Sequence, residues 1–127
     1  MSRTIIATDA APAALGPYSQ GVVTGSLLFT AGQLGLDPQS GKFVSDDVAE
    51  QATKALENAR EVVQAGGMTL ADVVKVTVFL ADMNDFGAVN EVYKGFFDAD
   101  PPARSAVEVA RLPIDARVEI EMIASRG

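Results

Sequence analysis

Apolar and polar residues alternate with period two through QGVVTGSLLFTAGQ, residues 20 to 33. The two short runs flank Gly25-Ser26, a dipeptide suited to a tight turn, so the pattern predicts a β-hairpin. GLDPQSGKF follows, with Pro38 and Gly41 among Asp and Ser, and reads as a loop. From Ser45 the period lengthens. Ser45, Asp46 and Asp47 supply an N-cap and first-turn negative charge, and Val48, Ala52, Ala55, Leu56, Ala59, Val62 and Val63 then recur at helical spacing until Gly66-Gly67 stops the helix. The β-branched run VVKVTVFLA, residues 73 to 81, predicts a strand with Val74, Val76, Val78 and Leu80 on its buried side. Met83-Asn84-Asp85 predicts a second helix start. Its apolar stripe is Phe86, Val89, Tyr93, Phe96 and Phe97, Asn90 sits beside the stripe, and Pro101-Pro102 ends it.

The closing segment, RSAVEVARLPIDARVEIEMIA, alternates on both sides of Pro113-Ile114 and is expected to be a second hairpin. Val107 and Val109 are odd-numbered, whereas Val118, Ile120 and Met122 are even-numbered. Both apolar rows reach one core only if paired positions sum to an odd number, and a turn at Pro113-Ile114 meets that condition. That register places Arg104, Ala106 and Glu108 on one sheet face with Arg117, Glu119 and Glu121. It sets Arg104 diagonal to Glu121 with β-carbons roughly 7 Å apart, on the face turned away from the helices. A guanidinium and a carboxylate so placed can touch one small ligand; the plainer reading is a solvated face with weak surface ion pairs.

Helices interleaved among a few strands predict one α+β domain over residues 1–127, a mixed sheet with both helices packed on one face. The other face then needs a cover, and a second copy of the chain is a natural one.

Composition narrows the chemistry. The chain has no cysteine and no histidine, so thiol and imidazole chemistry, Cys-ligated zinc and the commonest metal ligand are unavailable, and Ser45-Asp46-Asp47 reads as helix capping and not as a metal site. A net charge of −7, with only ten Lys and Arg, argues against a nucleic-acid partner. No run of about eighteen apolar residues and no leader pattern is visible, so a cytoplasmic protein without a membrane partner is expected.

Several blocks in order resemble one family: AAPAALGPYSQGV, LLFTAGQLGLDP, GGMTLADVVKVTVFLADMNDF, VNEVYKGFF, and PPARSAVEVARLP followed by VEIEM. Together they make the chain similar, over nearly its whole length, to the YjgF or RidA family of reactive enamine/imine deaminases. The resemblance implies a chorismate-mutase-like α+β fold and a homotrimer with sites where subunits meet. The implied substrates are 2-imino and 2-enamino acids such as 2-aminoacrylate, 2-iminobutyrate and 2-iminopropionate, hydrolysed to 2-oxo acids and ammonia without a cofactor. It implies that Arg104 binds the substrate carboxylate and that Glu121 positions the attacking water, with Tyr18 lining the pocket and Asn90 close by. Ala31, Gly32 and Ala106 are expected at the same site. Ala106 stands where many members carry cysteine and Ala31 where serine is frequent, with Thr30 the nearest hydroxyl. These departures are expected to change pocket shape or substrate preference. Members of the family have also been described as translation inhibitors, ribonucleases and chaperone-like proteins, so a non-catalytic trimeric module that binds small carboxylates, with a regulatory or chaperone-like role, stands as an alternative, and an endoribonuclease or translation inhibitor as a more distant one.

Overall fold

The computed structural model describes residues 2–97 and 99–127. Six strands form one sheet: β1 (Arg3–Ile6), β2 (Gly21–Thr24), β3 (Leu27–Thr30), β4 (Val73–Leu80), β5 (Ala103–Glu108) and β6 (Val118–Ser125). Two helices, α1 (Val48–Ala65) and α2 (Phe86–Lys94), complete it. The expected hairpin is β2 and β3, with Gly25 at φ +58° in the turn. Asp47 caps α1 by accepting a hydrogen bond from the Glu50 N–H. The whole predicted stripe of α1 is buried, packed with Val76, Val78, Leu80, Val118, Ile120 and Met122 from the sheet. Met83–Asp85 forms a single 3-10 turn ahead of α2. The expected start is therefore one turn early for the α-helix proper.

Strand order is β1-β2-β3-β6-β4-β5, and here the expected second hairpin fails. β4 lies between β5 and β6. β5 runs parallel to β4, with Val76 opposite Arg104, while β6 is antiparallel to β4 on its other side, with Thr77 opposite Glu121. The physical reason is that β4, α2 and β5 make a strand–helix–strand crossover, and such a connection carries the chain back to pair in parallel with the strand it left. The segment after β5 must then span β4 to reach β6, which a two-residue turn cannot do. It does so through the 3-10 turn Pro113–Asp115, in which Ile114 and Asp115 hold positive φ.

Moving β5 reverses the face assigned to its side chains. Arg104 and Ala106 point to the helix side with Val76 and Val78, and Val107 is left exposed. Glu119 and Glu121 alternate with the buried Val118, Ile120 and Met122 and so lie on the side away from the helices. Arg104 and Glu121 are therefore on opposite faces, not diagonal neighbours. A smaller correction concerns β4. A bulge between Val73 and Lys75 puts Val73 in the core and leaves Val74 half exposed.

Both helices pack on the one face, as expected. On the other, Ile5, Leu27, Phe29 and Val107 are exposed, a substantial apolar presence for a chain of this charge.

Candidate active site

Arg104 projects from the edge strand β5 onto α2. Its Nη1 donates to Asn90 Oδ1 at 2.8 Å, and its Cζ lies 5.3 Å from the Phe86 ring centre and 4.7 Å from that of Tyr93. A cleft of about 310 Å³ opens here, lined by Arg104, Asn90, Tyr93, Lys94 and Pro101-Pro102. Among the described residues its lining brings two cations and no carboxylate, with Lys94 paired to Glu91 just outside it. Tyr93 is buried, and its hydroxyl has no hydrogen-bond partner among the described residues. Burial raises its pKa, an effect partly opposed by the Arg104 charge. Ala106, two residues along β5, packs against the core beside this cleft.

Tyr18, Ala31 and Gly32 gather elsewhere, in a cleft of about 450 Å³ that also involves Leu15, Pro113 and Glu119. Glu119, and not the expected Glu121, is the carboxylate that lines this cleft. It is half-buried, and its pKa is raised, chiefly by burial and further by the neighbouring Glu121 charge. Glu121 is not among the residues lining this cleft. The signal available in the sequence was Gly32. A β-carbon there would overlap the Glu119 carboxylate, so glycine lets the acid lie directly against the loop. Tyr18 is 55% exposed at the rim, and its N–H donates to the Gly16 carbonyl in the Gly-Pro turn.

The walls of this second cleft are held from behind by α1. Asn58, fully buried, donates from Nδ2 to the carbonyls of Leu34 and Leu36, each at 3.0 Å. Gln51 accepts at Oε1 from the Arg117 N–H, one residue before β6. Gln33 exchanges backbone hydrogen bonds with Ile120, tying the loop to the strand that carries Glu119. Thr30 does not replace the serine hydroxyl missing at position 31: it is buried and its Oγ1 accepts from the Met122 N–H. Among the described residues, no group of three or more acidic side chains is placed to hold a metal ion.

The predicted residues thus divide into a cationic half, Arg104 with Asn90 beside Ala106, and an acidic half, Tyr18, Ala31 and Gly32 with Glu119. Three residues of rise and two strand spacings put the α-carbons of Arg104 and Glu119 on the order of 14 Å apart, with the side chains on opposite faces of the sheet. One copy of the chain does not bring the halves to a single ligand.

A six-stranded mixed sheet backed by two helices, with an arginine-lined cleft at its edge and a half-buried glutamate on its open face, makes this a small α+β protein. Within that class, a family model described as Endoribonuclease L-PSP matches residues 8–126, and the chain belongs to that family, the YjgF/RidA family. It is 54% identical to a 2-iminobutanoate/2-iminopropanoate deaminase of Salmonella typhimurium, over 99% of both chains. It is 53% identical to the mouse protein of the same name, covering 98% of this chain and 93% of the other. Among solved structures, the YjgF gene product of E. coli superposes with a TM-score of 0.94 at 50% identity, covering 98% of this chain and 99% of the other. E. coli TdcF with bound serine gives the same TM-score and coverage at 51% identity.

Proposed function

We propose that this chain is a deaminase of small 2-imino acids and their 2-enamine tautomers, working as a homotrimer in which the Arg104 half of one copy faces the Tyr18–Glu119 half of the next. The observation that carries the reading is the deaminase name borne by relatives that match it from end to end at 50–54% identity. The apolar residues left exposed on the open sheet face, and the split of the site across two faces, support the association.

The reaction adds water across C=N and releases ammonia, R–C(=NH)–COO⁻ + H₂O giving R–CO–COO⁻ + NH₃. Arg104 meets the carboxylate with a planar fork, which sets the angle of the C=N bond as a lysine point charge would not. Glu119 takes a proton from the attacking water and returns one to nitrogen. Glu121 takes the supporting part here: its charge, two residues along the same face, keeps the Glu119 proton affinity high and so makes Glu119 a stronger base. Tyr18 and the Ala31-Gly32 backbone shape the cavity beside the carboxylate. Ala31 and Ala106 leave that cavity roomier and less polar than serine and cysteine would.

The test is a trapping assay. An amino acid oxidase generates 2-iminobutyrate, semicarbazide captures what survives, and added protein lowers the captured product. Arg104→Ala is expected to lose about a hundredfold in kcat/KM, the equivalent of about 3 kcal/mol. Wild type and Arg104→Ala behaving alike would sink the reading. The description of the matching family model favours a second reading, RNA cleavage. It requires RNA affinity that falls steeply with salt, against a net charge of −7.

A further inference from the structure

Phe86, Asn90 and Tyr93 stand at positions i, i+4 and i+7 of α2 and so line one face of that helix. All three touch the same guanidinium. We propose that this face is a cradle that orders Arg104 in the free protein without neutralising its charge, which makes Phe86 and Tyr93 positioning residues for the anion-binding half of the site. The identity of the anion rests on the deaminase reading; the cradle itself does not.

An arginine on an exposed edge strand ordinarily samples many rotamers, and a ligand that recruits it must immobilise it. Two aromatic faces within 6 Å of the guanidinium carbon attract the cation through their quadrupoles. Neither ring carries a charge. The hydrogen-bond acceptor is likewise an amide, Asn90 Oδ1, and not a carboxylate. An aspartate at position 90 would hold the guanidinium more tightly, but it would also cancel the charge that a ligand needs. Among the described residues, the lining of the adjacent cleft adds one other ionic side chain, Lys94, whose ammonium is itself paired with Glu91 at 3.2 Å. Each contact restrains the cation while leaving its charge, and part of its fork, for an incoming carboxylate.

Side-chain ¹⁵N NMR of the full chain without ligand tests this, joined to titration with 2-oxobutyrate. In the wild type the Arg104 Nε–H signal is expected to show hindered rotation about the Nε–Cζ bond. Tyr93→Leu should free it and weaken 2-oxobutyrate binding by about tenfold, while Tyr93→Phe, which keeps the ring, should stay within about twofold of wild type. Asn90→Asp should leave the guanidinium ordered yet weaken binding by at least about tenfold, because the charge is now paired internally. Phe86→Leu, at a partly buried position, repeats the Tyr93→Leu test should that variant fail to fold. Equal mobility of Arg104 in wild type and in the leucine variants would overturn the cradle, as would wild-type affinity in Asn90→Asp. An ordered wild-type guanidinium that Tyr93→Leu releases supports it even if 2-oxobutyrate does not bind, an outcome that would count against the deaminase reading alone.

Discussion

Glu119 is the residue whose environment makes the sharpest predictions. Burial and the Glu121 charge both favour its protonated form, so its folded pKa lies above its unfolded one. Below the unfolded value, about 4.3, both states hold the proton and ionisation exacts nothing. As pH rises through the folded value, stability is lost and the loss persists to neutrality. Glu119→Gln should therefore raise Tm at pH 7 and leave it unchanged near about pH 3.5. The same change should lower deamination by ~10²–10⁴-fold, and the acid limb of the wild-type rate profile should fall above the ordinary glutamate range. Gly32→Ala probes the same group from its other side. The added β-carbon meets only the end of a flexible side chain, so the fold should survive with Tm nearly unchanged while a displaced carboxylate lowers kcat/KM by about 10²-fold. Tyr93→Phe removes a buried hydroxyl that has no partner among the described residues and should stabilise the chain by about 1 kcal/mol in urea unfolding.

At the scale of elements, the turn between β5 and β6 stores strain. Ile114, β-branched and 62% exposed, sits at φ +48° beside Asp115 at φ +58°. Asparagine tolerates that conformation, so Ile114→Asn is expected to raise stability by about 1 kcal/mol, read from the urea midpoint at constant m. This turn also marks where sequence reading stopped working. The hairpin β2–β3, the extent of α1 and a cap within Ser45-Asp46-Asp47 were legible because each depends on residues close together: a Gly-Ser turn, a helical stripe, a capping cluster and a Gly-Gly stop. The partner of β5 depends on a crossover through α2, and alternation along a strand is silent about which strand lies beside it. Parity arguments transmit that error faithfully. Pairing β5 with β6 puts Arg104 on the wrong face, and alternation does not separate Glu119 from Glu121, because both lie on the same side of β6. They are separated by contacts distant in sequence, such as the approach of Gly32, 87 residues away, to Glu119.

For the whole molecule, the proposed homotrimer carries a prediction about concentration. Dilution into the range where sedimentation shows monomers should abolish deamination, with recovery on concentration. Monomers that retain full activity would show that the two halves need no second copy. One further consequence follows from the place of β6 between β3 and β4. During synthesis, β1–β3 and β4–β5 emerge as two unjoined ribbons, each offering bare backbone to any neighbour, and neither can be sewn to the other until residues 118–125 have left the ribosome. Nascent chains stalled short of that seam should cling to chaperones, whereas chains released just beyond it should let go.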